Sequence, residues 1–460
     1  MKTSFLIFLS IFAANLVFLA SESNAQSDDP EEIIHEMIDK VSIDNLTDHI
    51  LELECAGGTN NRIAFTPGVD SASVYVKEQF NKIPGLTSVE FDTFYVDTAV
   101  SPYDEQPQVN VVATIEGESD PEKSYVLGGH IDATSDRDDS WGSDGANWQD
   151  IDAPGADDNA TGVAAILEIA RILADPETDF SSDYTIELVA FGAEERLPGV
   201  VYSGGGTPSN HHGSRHFALE ANQSSKEILG MTSIDMIGYN NNYEYTDIVK
   251  VDNHVAEESR ALGEKYLDVN EQFSIGLIMD DPPFASGGYS DHNSFAIFGY
   301  PAILMIENGP PWSSDTYYQF NPYYHTQDDT YDKLNMELVK MVTQLNLATV
   351  AALGSTVTST EKQVIDEVPG KFQLSQNYPN PFNPETTINY TLFESGHVSL
   401  KVYDSIGRKV TTLVNKTMSP GEHSVTFNSN NSNRELSSGV YIYKLEVGEH
   451  QKSKNMLLVK

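Results

Sequence analysis

The sequence predicts an α/β domain whose sheet is covered by helices on both faces, followed by a small all-β sandwich. Three observations carry this. Apolar strand-like runs alternate with stretches of helical spacing as far as Leu353, the pattern of a sheet packed between helices. A polar stretch from Ser355 to Gly370 then closes on Pro-Gly and reads as a linker. Beyond it the chain changes to short period-two runs with Gly- and Asn-rich turns, as in a sandwich.

The charge breaks at the same place. Net charge over 460 residues is −42. Residues 371–460 hold 10 Lys and Arg against 7 Asp and Glu, a net of +3; the rest holds 17 against 62, a net of −45. Such acidity excludes nucleic-acid binding, which needs a basic footprint. It suits solubility, with the repulsion screened at high salt.

In chain order, the first segment reads as a signal peptide over residues 1–25. Lys2 supplies the charged start, Leu6 to Ala20 the apolar core, and Ser23-Asn24-Ala25 a small-residue cleavage site. The apolar run is about 15 residues, short of a membrane span, and no later stretch qualifies. The mature protein is therefore expected to be soluble and outside the cytoplasm. Cys55 is the only cysteine, so no intrachain disulfide can form; its alternating surroundings predict a buried small hydrophobe. A domain over 26–354 follows, with strands at Val109–Ile115, Tyr125–Leu127, Tyr184–Phe191 and Ile228–Ile234. Helices are expected over Gly162–Leu173 and Met336–Leu353. After the 355–370 linker, a domain over 371–460 carries strands around Val398-Leu400-Val402 and Val440-Ile442-Lys444.

Five metal-ligand side chains mostly stand where apolar runs end. They are His130 in G-G-H-I-D, Asp158 in P-G-A-D-D-N, one glutamate of F-G-A-E-E, Asp235 in S-I-D-M, and His325 in N-P-Y-Y-H-T. In α/β sheets, sites lie beyond the carboxyl ends of strands. Two imidazoles and three carboxylates suit two Zn²⁺ ions sharing one carboxylate, with an open position for catalysis. Asp132 is the natural carboxylate partner for the His130 ring, and Asp329 or Asp328 for that of His325. Of Asp157 and Asp158, one can cap the following helix; Asp158 is favoured for the shared position. Glu194 and Glu195 would repel each other at a buried strand end unless cations offset them. One can ligate while the other serves as general base, in an order the residues leave open. Asp136, Asp138, Asp139, Asp144 and Asp150 cluster in a Gly- and Ser-rich loop. Such oxygen donors suit Ca²⁺, although the spacing fits no EF-hand and a solvated acidic loop is the plainer reading.

Together G-G-H-I-D, P-G-A-D-D-N-A-T-G, A-E-E, S-I-D-M, S-D-H-N-S-F and H-T-Q-D-D-T, from about Val41 to Leu353, resemble the co-catalytic zinc aminopeptidases. That clan also holds glutamate carboxypeptidase, glutaminyl cyclase and the transferrin-receptor ectodomain. The resemblance implies a three-layer αβα domain with a mixed sheet and two zincs bridged by Asp158. His130 and Asp235 complete one site, Glu195 and His325 the other. Glu194 takes the base role toward a water between the metals, and the Asp158–Asn159 peptide is cis. Met236, Leu304 and Ile306 are candidate apolar pocket residues. Arg196 to His212 interrupt the family pattern, as a surface loop or as a lip over the site.

The tail motifs L-S-Q-N-Y-P-N-P-F-N-P, V-Y-D-S-I-G-R-K-V and L-S-S-G-V-Y-I-Y-K-L resemble the C-terminal sorting domains of type IX secretion cargo. That implies an immunoglobulin-like sandwich read by outer-membrane secretion machinery, and a protein exported through the periplasm to the surface or medium. The function expected is removal of N-terminal residues from peptides. A carboxypeptidase or a glutaminyl cyclase on the same scaffold is the alternative, and a binding ectodomain would have lost ligands that are present here. A carboxypeptidase needs a cation near the site; the strand-end motifs carry none, though Arg196 and Arg215 flank the insertion.

Overall fold

A computed structural model of the chain describes residues 29–96, 103–141, 148–196, 210–240, 248–253, 257–280, 289–307 and 320–355. It also describes most of 372–458, apart from 375–376, 378, 380–381, 393–394, 405–407, 432–435, 438 and 449. The expected signal peptide, the linker beyond Ser355 and the interior of the 196–212 insertion lie outside the described residues. The chain divides into two compact units, residues 1–356 and 357–460.

The first unit runs α1 (Pro30–Asp39), α2 (Ile43–Glu54), α3 (Pro67–Phe80), β1 (Ser88–Phe94), β2 (Gln108–Ile115), β3 (Asp120–His130), α4 (Thr161–Leu173) and β4 (Tyr184–Phe191). It continues with α5 (His212–Gln223), β5 (Glu227–Ile234), β6 (Ile248–Asn253), α6 (Glu257–Gln272), β7 (Ile278–Asp280), α7 (His292–Ile297), β8 (Ala302–Ile306) and α8 (Met336–Gly354). The strands form one mixed sheet in the order β1-β2-β4-β3-β5-β8-β6-β7. Its centre, β4-β3-β5-β8, is parallel, so those four strands end on one edge.

Alternation along the strands builds two cores. Leu127, Ile186, Leu188, Ala190, Ile234 and Met305 face the side packed by α1–α4, α6 and α8. Val126, Val189, Phe191 and Met231 face the side packed by Ala218 and Ala221 of α5 and Phe295 of α7. Helix α4 is apolar nearly all round and is buried along almost its whole length, as a helix enclosed by the fold must be. Its start comes very close to β5. A Cβ on Gly162 would stand 2.2 Å from the Ile234 carbonyl oxygen and 2.5 Å from Asn159 Oδ1. Elsewhere Ser42 and Asn335 cap α2 and α8 through their side chains.

Cys55 corrects the expectation of burial: it is exposed at the end of α2, its Sγ donating to the Leu51 carbonyl at 3.2 Å. The buried face of α2 is set by Leu46, Ile50 and Leu53. A residue two beyond Leu53 is turned about 200° away from that face.

The second unit is an immunoglobulin-like β-sandwich of β9 (Phe372–Leu374), β10 (Glu385–Leu392), β11 (Gly396–Asp404), β12 (Lys409–Met418), β13 (Gly421–Asn428), β14 (Gly439–Val447) and β15 (His450–Leu458). Two antiparallel sheets, β13-β10-β9 and β12-β11-β14-β15, enclose a core of their own that includes Ile388, Leu400, Phe427, Tyr443 and Leu445.

Candidate active site

Three parallel strands deliver residues at or just past their carboxyl ends to one edge. His130 is the last residue of β3, Glu194 and Glu195 follow β4, and Asp235 follows β5. Asp158 comes from the turn before α4, through a cis Asp158–Asn159 peptide. Asn159 ties that turn to β5, donating from Nδ2 to the Ile234 carbonyl at 2.8 Å and accepting from the Gly162 N–H at 2.9 Å. His325, from the segment before α8, closes the group.

The donor atoms sort into two sets that share Asp158. His130 Nε2 lies 3.1 Å from Asp158 Oδ1 and 3.5 Å from Asp235 Oδ1. His325 Nε2 lies 3.2 Å from Asp158 Oδ2 and 3.2 Å from Glu195 Oε1. The sets are contiguous, since donors of His130, Asp158 and Glu195 all lie within 4.8 Å of one another. Asp157 turns the other way, accepting from the Gly238 N–H at 2.8 Å and from Asn321 Nδ2 at 2.9 Å.

These donors fit cations. Donors bonded to one Zn²⁺ at about 2.0–2.2 Å stand roughly 3.3–3.6 Å apart around a tetrahedron, close to the spacing seen. Asp235 Oδ1 is buried and accepts no hydrogen bond among the described residues, an expensive state for a carboxylate unless a cation faces it. Each imidazole engages an oxygen through Nδ1, which leaves Nε2 for the carboxylates. The charge balance shows the same need. Burial pulls the His130 and His325 pKa down, yet the surrounding carboxylates drive both well above the usual value. Burial pushes Glu195 up to about 7 against the opposing pull of His325. Glu194 is raised well above its usual range, by burial and by Glu195, Asp291 and Asp235, against the pull of His130. Asp158 is held low despite burial, by its hydrogen bonds to the two histidines.

Two expected supporting roles are corrected. The His130 ring bonds through Nδ1 to the backbone carbonyl of Asp132 at 2.9 Å, while the Asp132 carboxylate stays 3.8 Å away. That carboxylate instead accepts the N–H groups of Glu194 and Glu195, at 2.9 and 3.0 Å. Asp329 does not orient His325 either. It accepts the N–H groups of Asp157 and Asp158, at 3.0 and 3.1 Å, and Asp136 Oδ1 meets His325 Nδ1 at 2.8 Å. In both cases backbone N–H groups that must be satisfied in a buried turn claimed the carboxylate.

The acidic loop thus has other work: Asp136 serves His325, and Asp138 accepts from Ser140 and Gln327. Asp144 lies outside the described residues. Arg62, which no motif singled out, is fully buried beneath the site. It donates to the carbonyls of Ile131, Leu53 and Gly155 at 2.9–3.0 Å and to that of Pro154. Burial lowers its pKa to about 10 against the pull of Asp329, Asp132 and Asp158.

A cavity of ≈ 250 Å³ opens on the five donors and Glu194, and Asp136, Met236, Tyr289, Tyr324, Arg196 and Asn210 complete its wall. Leu304 and Ile306 do not line it; they pack under Met236 as a buried cluster. The insertion's ends, Arg196 and Asn210, therefore reach the site. A larger cleft of ≈ 810 Å³ lies along β1 and α5, lined by Glu90, Asp92, Phe217 and Lys226 among others, away from all these donors. Beside it His216 Nε2 meets Asp92 Oδ1 at 3.0 Å and Glu220 Oε1 at 3.5 Å, a polar group joining α5 to β1.

Comparison with known proteins finds matches in both units. The profile described as Peptidase family M28 matches residues 110–350, and that of a secretion system C-terminal sorting domain matches residues 376–460. A probable zinc metalloprotease of Pyrenophora teres f. teres is 28% identical over 222 residues, 45% of this chain and 42% of the relative. The chain spans about half the length of the curated relatives it matches. The LapA aminopeptidase structure of Legionella pneumophila superposes with a TM-score of 0.54 at 22% identity, covering 73% of this chain and 78% of that one. A glutaminyl cyclase from Fimbriiglobus ruber does so with 0.51 at 17% identity, covering 68% and 95%. At those identities the likeness is one of fold.

Proposed function

We propose that this chain, which belongs to peptidase family M28, is an exported zinc exopeptidase that removes N-terminal residues from peptides. The observation that carries the reading is the pair of donor sets meeting on the two oxygens of Asp158. His130 and Asp235 would hold one zinc and Glu195 and His325 the other. When bound, zinc supplies Lewis-acid charge for the scissile carbonyl and the attacking water.

Glu194 stands beside the donor sets without belonging to either. As general base it takes a proton from water and returns it to the leaving amine, which ionisation of its buried carboxyl beside cations allows. Asp132 holds the backbone of Glu194 and Glu195 so that one side chain reaches water while the other ligates. The acidic wall favours a free α-amine, which supports the exo mode. Met236 and Tyr324 are the side chains offered to an apolar residue of the substrate. The matched sorting domain supports export to the surface or medium.

Two measurements test this. Asp158→Asn should drop bound zinc from two ions per chain and abolish turnover; two ions retained would overturn the shared-carboxylate reading. Glu194→Gln should keep both ions and lose ~10²–10⁴-fold in kcat, the usual contribution of a general base. A second reading, a carboxypeptidase, is favoured by Arg196 on the cavity wall, a cation for a substrate carboxylate. Cleavage of an N-acetylated peptide with a free C-terminus, and not of an aminoacyl p-nitroanilide, would select it.

A further inference from the structure

We propose that His211 is a positioning residue for Glu194: its Nε2–H donates to Glu194 Oε1 and fixes the carboxylate for proton transfer. The inference rests on the reading of Glu194 as base. His211 Nε2 lies 2.9 Å from that oxygen. The contact is built from the backbone outward. N–H groups of His211, His212 and Gly213 donate in succession to the carbonyls of Glu194, Ala193 and Gly192, at 2.7, 2.9 and 3.0 Å. This short ladder lays the end of the insertion along the segment that carries the base. It needs a glycine, because a Cβ on Gly213 would come within 2.3 Å of the Gly192 carbonyl oxygen. His211 itself adopts φ 61°, a left-handed backbone that non-glycine residues rarely take, and this leads directly into α5. The ring is 2% exposed. Burial first, and then nearby His292 and His130, push its pKa down to about 3, so it carries a single ring proton. Asn210 Nδ2, a donor, is placed 2.9 Å from the same Nε2. The oxygen and nitrogen of an Asn amide exchange by a half-turn of the side chain, so with Nε2–H donating to an ionised Glu194 the Asn210 amide turns its oxygen toward that ring.

A glutamate beside two cations has several rotamers that would make it an additional ligand instead of a base. A neutral N–H donor on one oxygen removes them without adding charge, which leaves the other oxygen for water. That is a demand on orientation, and such demands are met by residues that never touch the substrate.

The test compares the zinc-loaded full chain with His211→Phe, His211→Gln and Glu194→Gln, using an aminoacyl p-nitroanilide. His211→Phe keeps the ring volume and removes the donor. It should lower kcat roughly tenfold to hundredfold, part of the ~10²–10⁴ that a base supplies, with KM and zinc content unchanged. His211→Gln, whose amide N–H can reach the same oxygen, should recover most of the loss. A Phe variant within twofold of the parent kcat, or one that loses zinc in step with activity, would overturn the inference. Turnover surviving in Glu194→Gln would instead overturn the base reading. A further readout needs no turnover and no variant. Ring ¹⁵N shifts of the parent protein should show His211 neutral with its proton on Nε2; a proton on Nδ1 overturns the proposal even if the Phe variant fails to fold.

Discussion

Single carboxylates around the site differ in what holds them, and the difference sets a pH dependence. Glu195, Asp291 and Asp329 are each pushed up to about 7, by burial before any other cause. Asp157 and Glu307, facing one another in the interior, are driven well above their usual range for the same reason. In the unfolded chain these groups lose their protons near pH 4. Between about pH 4 and 7 the folded, metal-free chain holds protons that the unfolded chain has released, so stability falls as pH rises through that window. Raised His130 and His325 act in the same direction, being protonated in the folded state above their ordinary pKa. Asp158, held low, opposes them only in strong acid. Chelator-treated protein should therefore melt progressively lower from pH 4.5 to 8. Zinc, which binds deprotonated ligands, should add more stability the higher the pH. A metal-free Tm that climbs over that range would contradict this account of the burial.

At the scale of elements, the three parallel strands explain why so much of the candidate site is legible in the sequence. A polar residue right after an apolar strand must find a partner, so His130, the Glu194-Glu195 pair and Asp235 announced themselves by position. Strand β4 was read at its true limits, and α4 and α8 to within a residue. The supporting contacts were not readable, because the acceptors for buried backbone N–H groups carry no sequence signal. The sequence pairs Asp132 and Asp329 with imidazoles, whereas in the fold their carboxylates accept N–H groups of turns. Asp136 and His211 reach the site from loops whose path no periodicity describes. Gly162 tests how tightly α4, β5 and the Asp158 turn are coupled. An alanine there meets the Ile234 carbonyl and Asn159 Oδ1, the neighbours of Asp235 and Asp158. Overpacking of this kind costs about 1–3 kcal/mol. Gly162→Ala should lower Tm by several degrees, at about 2–4 °C per kcal/mol, and weaken zinc affinity with it. A variant with lower Tm but parental zinc affinity would show that the turn moves independently of the helix.

For the whole molecule, the two units have separate cores, and the net charge changes from −45 over residues 1–370 to +3 over residues 371–460. A domain with its own core can be removed without unfolding its neighbour. A chain ending at Gly354 should fold, bind zinc and cleave with unchanged kcat/KM, and in its native host stay in the periplasm. Activity lost on truncation with zinc still bound would make the sandwich part of the substrate site. The five donors have a consequence of another kind. They lie between residues 130 and 325 and come from five separate stretches of the first unit. Ions held there would tie distant points of the chain into closed loops, as a set of cross-links would, without any help from the lone exposed thiol. Loop closure of this sort costs entropy only logarithmically in length, and whatever ions bind the folded state alone is added to its stability. In an exported chain with no disulfide, the cofactor would then also be the fastener.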